Sequence, residues 1–482
     1  MSTPQLASLP ALRPPTPLLE GARAPWTKAQ WTLLLVLCTV LALDGLDVSM
    51  VGVALPSIGH ELNLDTGALQ WIVSGYVLGY GSLLLLGGRM ADLLGRRRVF
   101  LIALSVFAVA SLAGGLASDP TLLITTRFVK GLAAAFTAPT GFSIITTNFP
   151  EGPQRNRAIS IYSTFGASGF SLGLVVGGLM TSLSWRWTFL VSVPFAVAAI
   201  IVGLRAIPRD RLDAADGGHD VWGGATLATG MLALVYTLVS APGAGWGSAR
   251  TIIGFVAAAL VLAAFGVIET RAKHPLVRFS ILRQGWVARA NLSAVGLFGS
   301  YLSFQFIVTM YLQSVLGWSP LSMALALLPA GLIVMAASPF AEKLIERFSA
   351  PRLIVAGLVA LSAGYILFLR IGTTPVYATD ILPSMVLLGI GFALGFPATN
   401  VLATEGIGDA EQGLAAGLIQ TSMQVGAALV LAVTTALVAG AHSSGSGAGA
   451  MLDSFRPGLV LSAVVAVAAL LVVLVPQRRT RR

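Results

Sequence analysis

Two aspartates and two cations set inside apolar runs are where this sequence could do chemistry. Leu43-Asp44-Gly45-Leu46-Asp47-Val48-Ser49 lies within the first long hydrophobic stretch, Leu33 to Leu55. A run of that length crosses a bilayer as a helix. A spacing of three residues puts both carboxylates on one helical face, with Cβ atoms about 5–6 Å apart. An ionised Asp at the centre of a membrane helix costs about 2.5–3.5 kcal/mol, so such groups mark ion or substrate paths by default. Two carboxylates at that separation titrate as a pair, which suits proton binding and release. The plainer alternative is a structural role, capping or pairing with a neighbouring helix. The fourth apolar stretch adds Arg127 and, three residues on, Lys130. Arg127 would sit roughly 10 Å of helix rise inside its end. A guanidinium there needs a carboxylate partner, and the first span offers Asp44 and Asp47. That pair is either a static brace between two helices or part of a proton path. Lys130 either tunes the proton affinity of the carboxylates or is itself neutral through burial.

The surroundings of these residues are membrane. Of 482 residues, 56% are hydrophobic and only 10% charged, where a soluble domain carries about 25% charged residues. Fourteen apolar stretches read as transmembrane helices, giving an all-α integral membrane fold. A net charge of +10 would fit a nucleic-acid binder, but its distribution points elsewhere. With the amino terminus inside, the outer loops hold only Arg186, Arg250, Arg370 and Arg456, and the remaining basic residues outside Arg127 and Lys130 fall on the inner side. This asymmetry is the positive-inside rule, and it places both termini in the cytoplasm. No nucleic-acid partner is expected. Arg greatly outnumbers Lys, which hints at a GC-rich bacterial genome and hence at the bacterial cytoplasmic membrane. The single cysteine, Cys38, excludes an internal disulfide framework. No Gly-x-x-x-x-Gly-Lys-Ser/Thr loop offers an ATP site, and no His/Cys cluster has zinc spacing. No catalytic residue, metal or cofactor is therefore expected, only a proton gradient.

Several motifs in order carry a family resemblance. Gly88-Arg89-Met90-Ala91-Asp92-Leu93-Leu94-Gly95-Arg96-Arg97 resembles the signature loop between helices 2 and 3 of the major facilitator superfamily. A degraded copy follows the tenth span, with Glu346 in the acidic place and Ser349 in the glycine place. Such repeats are left by a duplicated unit. The resemblance implies that Gly88, Asp92, Gly95 and Arg96 act as a conformational switch, with Asp92 and Arg96 stabilising one access state. Arg127, four residues before Gly131, is similar to the superfamily's fourth-helix motif, where the Arg is implicated in proton transfer; Lys130 replaces the usual Gln. Gly169, Gly173, Gly177 and Gly178 match the antiporter motif of proton-driven exporters, although Leu174 stands where that motif has Pro. Glycines four apart also serve close helix packing by themselves.

Trp185-Arg186-Trp187 is a reasonable interfacial anchor and also resembles the opening of helix 6 in the fourteen-span drug:proton antiporters. Leu46-Asp47-Val48-Ser49 through Val53-Ala54-Leu55-Pro56 resembles that family's first-helix signature. Asp47 is its motif position, and Asp44 is an additional carboxylate. The family layout implies a disordered cytoplasmic arm (1–30), an N-terminal six-helix bundle (31–206), cytoplasmic linkers with two extra transmembrane helices (207–285), a C-terminal six-helix bundle (286–476) and a basic cytoplasmic tail (477–482).

Candidates for the substrate cavity are Tyr76, Tyr80, Lys130, Tyr301, Phe304, Gln305, Gln420 and Gln424. Aromatics with amides suit amphipathic organic molecules, and at this spacing they equally suit plain packing. The expectation is a secondary active exporter that exchanges protons for lipophilic or cationic drugs and natural products by alternating access, as a monomer among membrane lipids. A proton-coupled importer, a translocase for lipids or lipid-linked precursors, and a membrane sensor or scaffold are the alternatives.

Overall fold

The computed structural model describes residues 26–150, 153–209, 221–272, 285–405, 407, 409–441 and 447–474. Most of the arm expected over 1–30, all of the tail at 477–482 and the middle of both long linkers fall outside these. α1 (Lys28–Leu62) begins earlier than the sequence suggested, because Thr27 and Gln30 form a capping box. Each side chain accepts from the other's backbone N–H, which satisfies two donors at the helix start. Trp26, just before the cap, packs edge-on against Trp31 and Phe149, with Arg157 over its ring.

Short polar breaks separate the helices that follow. α2 (Thr66–Leu94) and α4 (Pro120–Asn148) are each capped by an aspartate, Asp65 and Asp119, which accept from Ala68 and Leu122 N–H groups. With α3 (Arg96–Gly115), α5 (Pro153–Leu183) and α6 (Trp187–Ala206) they make a first group. In it α1 lies along α5, α2 along α4, and α3 against both α4 and α6. The second group is α9 (Gly285–Val315), α10 (Pro320–Phe340), α11 (Ala350–Phe368), α12 (Tyr377–Thr404), α13 (Asp409–Gly440) and α14 (Ala448–Leu474). The same pairing recurs there, α9 with α13, α10 with α12, and α11 with α12 and α14. Between the groups, α7 (Val221–Ala244) and α8 (Ala249–Arg271) form a hairpin, and α7 rests on both α2 and α13. Among the described residues thirteen helices are long and apolar enough to cross a membrane. The remaining expected crossing coincides with α2, a helix of 29 residues.

The loop expected over Gly88 to Arg98 is smaller than its motif. Helix α2 continues through Leu94, and Gly95 alone, at φ 94°, makes the turn into α3. Only glycine adopts that conformation without strain. Arg97 then donates to the Leu204 carbonyl on α6. The side chains at Arg89 and Asp92, and the surroundings of Gly88, lie outside the described residues. In the second group a short helix, Ala341–Phe348, meets α11 through Ser349 at φ 69° and ψ 147°. Ser349 thus occupies the geometric place of Gly95, as the degraded repeat suggested, without glycine's freedom.

At the membrane face opposite the termini the two groups are latched together. The Gln313 side chain donates from Nε2 to the Val53 carbonyl at 2.8 Å. Thr435 donates to the amide oxygen of Gln70. A Cβ added at Gly178 would lie 2.9 Å from the Leu321 Cα, so α5 and α10 touch there almost backbone to backbone. These contacts join the two groups across that face.

Candidate functional site

Glycine builds the site by letting α1 sink into α5. A side chain at Gly169 would run into Ala42, one at Gly173 into Ser49 and the Leu46 carbonyl, and one at Gly177 into the Met50 backbone. From the other side, Gly45 faces the Gly166 carbonyl. The antiporter-motif glycines therefore grip the very stretch that carries Asp44 and Asp47, while Gly178 faces the other group. Leu174, in the motif's proline place, is buried in an unbroken helix. On α4, Gly131 packs so tightly on the Tyr76 carbonyl that α2 and α4 are also nearly in backbone contact.

These close approaches bring the intramembrane charges together. Asp47 is fully buried and has both oxygens engaged, Oδ2 by Arg127 Nη1 and Oδ1 by Lys130 Nζ. Arg127 donates its Nε–H to the Ile72 carbonyl at 3.1 Å, and its guanidinium lies over the Tyr76 ring at 4.7 Å. Lys130 Nζ sits 4.7 Å from the Phe107 centroid and 5.3 Å from that of Phe189. One anion with two cations in an apolar, aromatic box is an arrangement in which every charge has a partner. Asp44, one turn nearer the termini, is different. It is 7% exposed, and Oδ2 accepts from the Thr137 hydroxyl at 3.1 Å. Among the described residues no cation bridges it.

The expected cavity residues divide by position. Tyr76 is buried, serves as the ring under Arg127, and stacks on Tyr80 with centroids 5.8 Å apart. Lys130 belongs to the ion triad. Tyr301 stands where the two groups meet, 6.1 Å from the ring of Phe170 and 4.7 Å from that of Phe392. Gln305 reaches from α9 toward Gly52 of α1, and its amide oxygen has no hydrogen-bond partner among the described residues. Gln424 packs against Gly81 of α2, and Gln420 is half-buried on the same helix. Phe304 is placed elsewhere: it is buried in the second group's own core between Tyr365 and Phe368.

Trp185 is not the exposed anchor the sequence suggested. It is 2% exposed and donates its indole N–H to Glu61 at 2.8 Å, while Arg186 bridges the same carboxylate. The cluster ties the far end of α1 to the start of α6. Trp187, at 47% exposure, does fit an anchor. Sequence reading passed over Glu61 and Thr137. Thr137 was detectable in principle, since it lies seven residues from Lys130 and therefore near its helical face.

An all-helical, multi-pass bundle with a repeated pairing pattern and a buried charge cluster defines an integral membrane protein built by internal duplication. The family model of the Major Facilitator Superfamily matches residues 37–431, and the chain belongs to that family. It is 35% identical to the "Puromycin resistance protein pur8" of Streptomyces alboniger, over 94% of this chain and 91% of that protein. It is also 35% identical to the "Cephamycin export protein CmcT" of Amycolatopsis lactamdurans, over 89% and 88% of the two chains. The "Tetracenomycin C resistance and export protein" of Streptomyces glaucescens is 32% identical, over 85% and 76%. Among solved structures, the POT family transporter PepTSo superposes with a TM-score of 0.67 at 17% identity, covering 93% of this chain and 98% of that one. At that identity the likeness is one of fold.

Proposed function

We propose that this chain is a secondary active exporter that exchanges protons for lipophilic natural products or drugs. The carrying observation is the membrane-buried cluster of Asp44, Asp47, Arg127 and Lys130 at the α1–α4 contact, held by the glycine seam of α5. A packing element gains nothing from four ionisable groups in hydrocarbon, whereas a proton-coupled cycle needs them. Relatives whose names record puromycin resistance, cephamycin export and tetracenomycin export support an outward direction and a small-molecule cargo. Each proton entering down a potential of about 100 mV supplies roughly 2.3 kcal/mol, and a unit of pH gradient adds about 1.4. The contacts on the far face support loading from the opposite side, which we place in the bacterial cytoplasm. The protein works as a monomer and needs no cofactor beyond the gradient.

The test uses inverted membrane vesicles acidified inside. They are expected to accumulate a lipophilic antibiotic such as puromycin, or a cationic dye, and to lose it when nigericin and valinomycin collapse the gradients. Accumulation that survives the collapse would overturn the reading.

A further inference from the structure

We infer that Asp44, and not the motif aspartate Asp47, is the group that carries the exchanged proton, and that it takes a cationic substrate in the proton's place. The inference rests on the proton-exchange reading above and assigns its site and substrate class.

A carboxylate gains a proton only where an oxygen can be reached and where the neighbours accept the new O–H. Both oxygens of Asp47 already receive charged donors, Arg127 Nη1 and Lys130 Nζ, and none of its surface is exposed. A proton arriving there would meet only N–H groups and would leave two buried cations without an anion. Asp44 has one oxygen bonded to a neutral hydroxyl and the other without a partner among the described residues, and it is the member of the pair with residual exposure.

Thr137 fits both protonation states. Its hydroxyl hydrogen lies within reach of Asp44 Oδ2, at 3.1 Å, and of the Ala134 carbonyl, at 3.2 Å. When Asp44 is ionised, Thr137 donates to it. When Asp44 is protonated, the hydroxyl turns to the Ala134 carbonyl and its oxygen accepts the carboxylic O–H, since a hydroxyl is both donor and acceptor. Thr137 keeps a hydrogen-bond partner in either state. The proton moves between Asp44 and water or hydronium at its residual exposed surface, with no other bond made or broken.

Charge arithmetic then selects the cargo. With Asp44 ionised, the cluster has two anions and two cations. With Asp44 protonated, it keeps a net positive charge that repels a cation. A lipophilic ammonium or phosphonium therefore binds against ionised Asp44, and a proton displaces it. The titratable and charged groups facing Asp44 are Asp47 on its own helix, Lys130 on α4, Tyr76 and Tyr80 on α2, and Tyr162 on α5, with Arg127 beyond them on Asp47. The phenols supply apolar ring surface around the cation without changing the charge count.

The experiment measures proton release from purified, detergent-solubilised protein near neutral pH as tetraphenylphosphonium or ethidium is added. The parent chain is expected to release protons, Asp44→Asn to release none, and Asp44→Glu to restore release at a displaced pH midpoint. Thr137→Val, which alters no charge, is expected to move the midpoint as well. If Asp44→Asn releases protons as the parent does, or if Thr137→Val leaves the midpoint in place, the assignment to Asp44 is overturned while proton exchange stands. If the parent binds these cations and releases nothing, the exchange reading itself is overturned and the assignment falls with it. Monodisperse elution of each variant separates lost release from lost fold.

Discussion

Thr137 and Asp44 meet across the α1–α4 contact through one hydroxyl–carboxylate hydrogen bond of 3.1 Å, while Asp47, on the same face of the same helix, is held by two cations. Neighbouring carboxylates of one chemical type thus have different duties. Asp47 lies between two buried cations, and Asp44 has a neutral hydroxyl as its partner.

The first prediction follows from the triad. Asp47→Asn removes the anion between Arg127 and Lys130 and leaves both cations buried. Breaking a buried pair in this way typically costs about 3–5 kcal/mol, so the melting temperature of the solubilised protein is expected to drop steeply. Adding Lys130→Met to Asp47→Asn should recover part of the loss, since Arg127 stays without its anion. A double variant no more stable than the single one would show that Lys130 does not depend on Asp47.

The glycine seam gives a second. A methyl at Gly173 would enter the Ser49 side chain and lie 2.8 Å from the Leu46 carbonyl. Overpacking of this kind costs about 1–3 kcal/mol, and Gly173→Val should exceed Gly173→Ala. Substitution of exposed Leu172 by Val should be nearly silent. Thermal unfolding of the three variants side by side checks the order.

Ser349 supplies a third, opposite in sign. At φ 69° and ψ 147° it holds a conformation that is essentially glycine's own, at a cost of order 1–3 kcal/mol. Ser349→Gly is expected to raise stability, offset in part by glycine's greater unfolded-state entropy. Gly95→Ser, the reciprocal change, should lower it. Equal responses at the two turns would argue that they are not counterparts.

A fourth concerns the latch on the far face. Gln313→Leu removes a hydrogen bond to the Val53 carbonyl worth about 0.5–1.5 kcal/mol. Since about 1.4 kcal/mol is tenfold in an equilibrium, the far-side-open population should grow up to roughly tenfold. A spin-label pair placed across α1 and α9 at that face, read as a distance distribution, would show the longer component increase.

Much of this arrangement was legible in the residues because membrane helices announce themselves. Long apolar runs define their own ends, and charges inside them are too costly to be accidental, so Asp44, Asp47, Arg127 and Lys130 stood out at once. Which carboxylate meets which cation was not legible, because that depends on the depth at which α1 and α4 cross. The glycines at 169, 173 and 177 pointed to close packing, yet nothing in their spacing named α1 as the partner. Phe304 reads as a cavity aromatic from its polar neighbours, but the rotation of α9 turns it into the core beside Tyr365. Trp185 reads as an anchor because Glu61, more than a hundred positions away, is invisible to local inspection. The turn at Gly95 was legible as a motif, but its reduction to a single residue depends on how far α2 winds.

The backbone-to-backbone seam between α1 and α5 also bears on how this protein could acquire new drug specificities. Around the acids the first group has almost no volume to give: at Gly45, Gly169, Gly173 and Gly177 any added carbon collides with main chain. Mutations that reshape cargo choice without unfolding the carrier are therefore excluded from these glycines and expected at side chains that can be traded for others, such as Tyr76, Tyr80, Tyr301, Gln305 and Gln424. Resistance gained by selection on this scaffold should therefore spare the α1–α5 seam and map to side chains outside it.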